Sequence, residues 1–386
     1  MIPMPLDADE MIALVGDLRF GPYLMQPRVQ LLDRDHNVLS DLSDRVTAGQ
    51  VDCKLDGKVS TRTCRIDLVD PARQIAIDGD DVSDGALYYD KMISAAVRVK
   101  GPRLGRWVTI PVFCGPLTNA AREGWTAKVT DQGKERLATG MVWEPRTYVA
   151  TTPKITAIRS LLEETGEDPA RILLPGLRAR LPKDVSLGRT DRAWPPVVSI
   201  ADSMSRQAMY DGRGDFRVRA WPEDPVLTIT EGRGGTILTQ PNVTYDSWQG
   251  FNGVLVLGPL KRSGKRAKAE VWLPRNHPLS PWSLQRGGVP FRVALLVENA
   301  KVRTNAEARE IAERHLRRLV RETVSVKVDV MPNWLLEPAD VVAIQTPALG
   351  HLEQTLGEFS LPLTAGVPMA PGGGKPLQRP TRRRRT

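Results

Sequence analysis

Val51-Asp52-Cys53-Lys54-Leu55-Asp56-Gly57-Lys58-Val59-Ser60-Thr61-Arg62-Thr63-Cys64-Arg65-Ile66-Asp67-Leu68 is the stretch on which the fold class turns. Val51, Cys53 and Leu55 alternate with polar neighbours, Asp56-Gly57 supplies a turn, and the alternation continues over residues 59–68. A period of two interrupted by Asp-Gly predicts an antiparallel hairpin with one face buried. Val29 and Leu31 carry the same signal upstream, and residues 95–99, 107–113 and 125–130 carry it downstream. Gly101-Pro102, Gly115-Pro116 and residues 131–133 read as breaks between these segments. Short strands so closely spaced predict a barrel or a sandwich.

Beyond Thr151 the period lengthens. Ile155, Ile158, Leu161 and Leu162 form one stripe of a short helix that stops at Gly166 and Pro169. Ile200, Met204 and Ala208 predict a second helix over residues 198–209, followed by an Asp211-Gly212 turn and a strand at 215–220. Pro175, Pro182, Pro195 and Pro196 read as interruptions of a long surface loop between the two helices. Together these segments predict a small α/β unit.

Strand patterning resumes at Val226, most clearly at 254–257 and 293–297. A third helix is predicted at 305–321, with Ala308, Ile311, Ala312, Leu316 and Leu319 on one face and a cap at Thr304 or Asn305. Arg314, Arg317, Arg318 and Arg321 near its end complement the helix dipole. Alternation returns at 325–330 and 341–344. Residues 370–376 have little to bury and predict a flexible lead into the basic run Arg382, Arg383, Arg384 and Arg385.

The expected architecture is therefore mainly β, of the α+β class. Two antiparallel β-barrel-like domains (residues 1–150 and 226–369) flank a small α/β domain (151–225), helix 305–321 is inserted in the second barrel, and 370–386 form a flexible basic tail. A chain of 386 residues is long enough for several such units.

Composition narrows the function classes. Hydrophobic residues make up 41% and charged residues 26% of the chain, the ordinary globular range. No apolar run reaches bilayer length, and Asp7, Asp9 and Glu10 stand where a secretory leader would be basic and then apolar. The formal charge of +9 falls to +4 without the five arginines at 379 and 382–385, so the body is only mildly basic. The arginine tail lacks interleaved aromatics, and any grip on nucleic acid there is expected to be electrostatic and blind to sequence. The expectation is a disordered arm, with nucleic acid, an acidic protein partner or nothing left open as its ligand.

Each apparent motif for chemistry has a plainer reading. Residues 258–266, Gly-Pro-Leu-Lys-Arg-Ser-Gly-Lys-Arg, miss the phosphate-loop spacing by one residue and place Arg266 where the magnesium-binding hydroxyl belongs. The glycines of residues 231–235 lack dinucleotide spacing and read as turns. Asp78, Asp80, Asp81, Asp84 and Asp90 form an acidic stretch without the bidentate anchor of a calcium loop. His36, His277, His315 and His351 stand in no ligand array, and Cys53, Cys64 and Cys114 have no Cys-x-x-Cys spacing. Cys53 and Cys64 read as buried thiols rather than a bridge across the hairpin. Glu163 and Glu164, an acidic pair of the kind a glycosidase uses, are expected on different sides of a helix and facing solvent. No catalytic, cofactor-binding or metal-binding residue is expected. Three classes remain open: a structural protein, a cell-wall hydrolase acting through paired carboxylates, and a basic nucleic-acid-binding protein.

Four local patterns, in this order, resemble the tail hub proteins of phages, meaning the baseplate hub of contractile tails and the related minor tail proteins at the tip of long non-contractile tails. Residues 58–70 are similar to the early hub strand that ends in an Asp, here Asp70. Residues 200–219 resemble the helix, Asp-x-x-Gly turn and strand of the α/β unit, and 251–256 the Asn-containing strand of the second barrel. Helix 305–321 with 326–328 and Leu336-Glu337-Pro338-Ala339-Asp340-Val341-Val342 resembles the closing helix, strand and Pro-Gly-Asp turn, with Ala339 where the family often has glycine. The resemblance spans residues 29–369. It implies a non-enzymatic virion protein at the tail tip, assembled in the host cytoplasm, in which a homotrimer presents six barrels to the hexameric tail tube. It further implies contact with the distal tail protein ring, the tape measure protein and downstream tail-tip or receptor-binding proteins, around a channel that DNA crosses. Trp272 and Trp282, in a tryptophan-rich loop outside the family pattern, are candidate partner contacts, as are Arg382, Arg383, Arg384 and Arg385.

Overall fold

A computed structural model describes residues 6–56, 58–77, 86–142, 144–232, 235–245, 251–260, 264–299, 302–322, 324–347 and 350–373. Among the described residues strand accounts for 42% and helix for 17%, a mainly β protein as expected. Gly57, most of the acidic stretch (Asp78, Asp80, Asp81 and Asp84), residues 261–263 of the glycine-lysine loop and the arginine tail lie outside the described residues.

The chain opens with a helix that sequence reading missed, α1 (Ala8–Phe20). Asp7 caps it by accepting the Glu10 N–H at 2.8 Å, and Glu10 reaches back to the Asp7 N–H at 3.4 Å. This capping box was legible as Asp-x-x-Glu. Seven strands follow: β1 (Leu24–Leu32), β2 (Val38–Asp41), β3 (Val46–Asp56), β4 (Val59–Val69), β5 (Met92–Lys100), β6 (Val108–Glu123) and β7 (Thr126–Gln132). The predicted hairpin is β3–β4, with Asp56 opposite Val59. Along β4 the inward positions are Ser60, Arg62, Cys64, Ile66 and Leu68. Val51 rather than Cys53 stands opposite Cys64, and all three cysteines are free and buried.

Gly115-Pro116 does not break the chain. β6 runs straight through it, pairing with β5 up to Pro116 and with β7 from Leu117 onward. A Cβ at Gly115 would meet the Gln132 carbonyl oxygen at 2.0 Å, so this glycine serves close strand approach rather than a turn. Residues 131–132 likewise belong to β7.

The middle of the chain holds β8 (Arg146–Tyr148), α2 (Lys154–Glu164), β9 (Ile172–Leu173), β10 (Val185–Leu187), α3 (Trp194–Asp202), β11 (Arg206–Tyr210) and β12 (Phe216–Ala220). The helix expected at 198–209 ends at Asp202, and its second half is β11. Gln207, Ala208, Met209 and Tyr210 are all buried, because β11 is covered on both faces and therefore shows no alternation. Ser205, in the left-handed region at φ 56°, makes the break. Pro195 and Pro196 occupy the first turn of α3, where a missing N–H costs nothing, instead of interrupting a loop. Trp194, Tyr210 and Phe216 stack and cross at 5.4–6.2 Å in the core of this unit.

The last part holds β13 (Pro225–Thr230), β14 (Asn242–Tyr245), β15 (Gly253–Leu257), β16 (Lys268–Trp272), β17 (Ala294–Glu298), α4 (Asn305–Glu322), β18 (Val324–Lys327), β19 (Val341–Thr346), β20 (Gly350–Pro362) and β21 (Gly372–Gly373). Thr304 caps α4, accepting the Glu307 N–H at 3.1 Å.

The hydrogen-bond ladders join strands from the two regions expected to form barrels. Among the described residues no sheet closes. β13, β19 and β20 instead extend the first sheet through the β20–β3 pairing, giving the order β13-β19-β20-β3-β4-β7-β6-β5-β1-β2 with β21 beside β20. Nor is α4 inserted among those strands. It covers one face of a separate three-stranded sheet, β16-β15-β17, in which β15 and β17 run parallel. Three main buried clusters result, one inside the long sheet, one around α2, α3 and β11–β12, and one between α4 and β15–β17.

Candidate functional site

The polar groups with the most organised surroundings lie where the three clusters meet. Arg62 projects inward from β4 with its side chain 4% exposed, in phase with Cys64 and Ile66. Its guanidinium pairs with Glu337 and donates to the Val112 carbonyl at 2.9 Å, and its backbone N–H donates to Glu135 Oε1 at 3.1 Å. Burial opposes the charge on Arg62, but Glu337 outweighs it and holds the guanidinium above its ordinary range. Burial pushes Glu337 up against the pull of Arg62 and Arg219, and pushes Glu135 up to about 7.

The turn that carries Glu337 is Glu337-Pro338-Ala339-Asp340. Asp340 Oδ2 accepts the Glu337 N–H at 2.9 Å, and the Ala339 N–H donates to the Leu356 carbonyl at 2.9 Å. Ala339 takes φ 74°, so the turn keeps the left-handed shape that glycine would favour although alanine stands there. From the α/β unit, Arg219 donates to Asp340 Oδ1 at 3.1 Å, to the Pro338 carbonyl at 2.7 Å and to Gln207 Oε1 at 2.8 Å. Gln207 completes the circuit by donating to Ser60 Oγ on β4 at 2.6 Å.

A second latch centres on Asp202, the last residue of α3. It pairs with Lys58 beside β4, with Arg314 of α4 at 2.8 Å, and accepts from Asn299 at 3.2 Å. Burial raises its carboxyl, but Lys58 and Arg314 overcome that and hold it below the usual range. Arg314, expected to serve the helix dipole, is thus 9% exposed and bound to a partner. One carboxylate at the end of α3 thus links the turn before β4 with α4 and Asn299.

These ion pairs tie together elements that lie far apart in the chain. The cleft beside Lys58 and Arg314 holds only about 30 Å³, the room of one water molecule. No group of three or more His, Cys, Asp and Glu side chains among the described residues could hold a metal ion. Burial pushes the Cys53 and Cys114 thiols up to about 12, which removes nucleophilic thiolate. Glu163 and Glu164 are not a free pair, since Arg159 lies 3.6 Å from the first and Arg146 3.1 Å from the second.

Of the expected contact residues, Trp272 ends β16 and lies across Gly253, where a Cβ would come within 2.1 Å of its ring. Its indole N–H donates to Glu270 at 2.6 Å, and the Arg292 guanidinium stands 5.8 Å from the ring. Trp282 is half-buried beneath Arg275 at 5.4 Å. Phe291 and Val289 on the same loop are more exposed, at 55% and 69%. Arg382, Arg383, Arg384 and Arg385 lie outside the described residues. The sequence marked the Glu337–Asp340 turn as a motif but not its partners Arg62, Gln207 and Arg219, although an arginine in phase with Cys64, Ile66 and Leu68 was the signal.

No family model matches this sequence, and no curated protein matches it. Solved structures do. A tail protein from Neisseria meningitidis MC58 superposes with a TM-score of 0.57 at 12% identity, over 90% of this chain and 95% of that one. The 43 kDa tail protein of prophage MuSo2 from Shewanella oneidensis gives 0.56 at 11% identity, over 92% and 99%. The prophage tail protein gp18 from Listeria monocytogenes EGD-e gives 0.54 at 10% identity, over 91% and 95%. The fold is that of these tail proteins, two of them from prophages, in keeping with the resemblance read from the sequence. No helix among the described residues is long and apolar enough to cross a membrane.

Proposed function

We propose that this chain is a structural, non-enzymatic subunit of a phage virion, the hub at the tip of a long tail. The observation that carries the reading is the extent of the likeness, which takes up at least 90% of this chain and 95% of each of the three tail proteins. The sealed ion pairs that lock the three clusters together support it, because a load-carrying ring needs subunits of fixed shape.

In this reading residues 1–150 and 226–369 supply two barrel-like lobes and residues 151–225 the unit between them. Residues 370–386 form a flexible basic tail. A homotrimer sets six lobes around a channel, matching the hexameric tail tube to a threefold tip. Such a ring docks on the distal tail protein ring, surrounds the tape measure protein and later the DNA, and carries downstream tail-tip or receptor-binding proteins. It is built in the host cytoplasm and resides at the tail tip of the virion. Trp272 and Trp282, with Phe291 beside them, are partner contacts, and Arg382 to Arg385 grip an acidic partner. Cryo-electron microscopy of the purified full-length protein tests this: a threefold ring is expected, and a stable monomer or a sixfold ring of this chain would overturn it.

A further inference from the structure

We infer that an open cleft of about 550 Å³ on the flank of the long sheet binds an acidic, partly apolar segment of a protein partner. Arg34, Arg136 and Arg192 line it, Tyr89 and Met141 stand at its rim, and Leu137 lies in its wall. No carboxylate lines it among the described residues. Of the acids near it in sequence, Asp90 lies 2.5 Å from Lys91 and also favours the charge on Arg34, Glu135 accepts the Arg62 N–H at 3.1 Å, and Asp191 accepts the Gly188 N–H at 2.8 Å. Arg34 is held in place, donating to the carbonyls of Asp90 at 3.1 Å and Tyr89 at 2.5 Å. Tyr89 and Met141 are 61% and 67% exposed, which is much apolar surface to leave in water beside three cations.

Arginine, tyrosine and methionine are the side chains enriched in protein interfaces, and guanidinium groups take carboxylates with two parallel bonds. A single-stranded nucleic acid asks for something else, a longer basic groove with successive aromatic platforms. Here one aromatic stands at the rim and the lining mixes arginine and threonine with Pro116, Leu117, Leu137 and Met141, so a peptide presenting alternate carboxylate and aliphatic side chains fits the cleft better. The inference rests on the charge and shape of the cleft, independent of the trimeric reading.

The test uses the full chain with Met141→Cys carrying an environment-sensitive thiol dye, a label confined to that position because Cys53, Cys64 and Cys114 are buried. The probe is a synthetic peptide of alternating Glu and Leu, compared with its Gln/Leu counterpart and with oligothymidylate. The Glu/Leu peptide is expected to shift the dye emission saturably, with affinity lowered about tenfold or more by Arg34→Gln/Arg136→Gln/Arg192→Gln and by high salt. Arg136→Glu alone, which leaves the Arg34 contacts in place, is expected to weaken binding in the same direction. Equal binding of the Gln/Leu peptide, or unchanged affinity in both variants, overturns the inference. Oligothymidylate shifting the dye with the same dependence on the arginines overturns it too, and gives the cleft to nucleic acid.

Discussion

Arg62 and Glu337 stand 275 positions apart in the chain and meet as an ion pair with side chains only 4% and 2% exposed. Deleting one partner strands the other charge in the interior, so Arg62→Met or Glu337→Leu alone is expected to lower stability by about 3–5 kcal/mol. The double replacement is expected to lose much less than the sum of the two. Urea unfolding of the four proteins in the cycle measures this, and additive losses would deny the coupling.

Ala339 is 1% exposed and held at φ 74° by a turn whose N–H is committed to Leu356. Glycine relieves the backbone but gives up a buried methyl and adds freedom to the unfolded chain, so Ala339→Gly is expected to stay within about 1 kcal/mol of the native protein. A β-branched side chain has neither the conformation nor the room, and Ala339→Val is expected to lose about 2 kcal/mol or more. Thermal unfolding ranks the three. A valine variant as stable as the native protein would contradict the strain.

Glu135 is pushed up to about 7 by burial, although it accepts the Arg62 N–H. Its folded-state value lies above its unfolded one, so its contribution is complete below the unfolded pKa and is lost as pH rises toward the folded value. The stability of Glu135→Gln relative to the native protein is therefore expected to improve between about pH 4.5 and about pH 7, by roughly 2–4 kcal/mol, and to level off above. Paired denaturation curves across that range give the answer. A difference that does not change with pH would mean that Glu135 is already charged in the fold.

Asp202 ties α3 to Arg314 of α4 and to Lys58 beside β4. In Asp202→Ala the cluster between α4 and β15–β17 is expected to open more often than the rest. Hydrogen exchange should then rise by about tenfold or more across α4 and β15–β17 while β3, β4 and β7 keep their protection. A uniform rise over all strands would assign Asp202 to global stability instead.

Legibility followed burial geometry. β3, β4, α2 and α4 each have one buried face, so their periods of two and 3.6 stand out in the sequence. β11 is buried on both faces, and Ile200, Met204 and Ala208 there mimic a helical stripe across what are a helix end and a strand. The path of β6 was hidden because Gly115 looks alike whether it serves a turn or a close crossing. Of the junction, the Glu-Pro-Ala-Asp segment was visible as a motif and Arg62 as an arginine in phase with a buried face, while their pairing across 275 positions leaves no local mark. Trp272 and Trp282 were found by composition, yet the arginines over their rings come from Arg275 and Arg292 through tertiary folding.

Ser360 on β20 donates to Asp52 on β3 across 308 positions of chain. A ribosome releases β3 long before β20 exists, so the seam between them stays raw while the intervening residues are made and offers unsatisfied backbone to any other nascent copy. Completion of this fold therefore waits for β20, which acts as the clasp that retires a sticky edge.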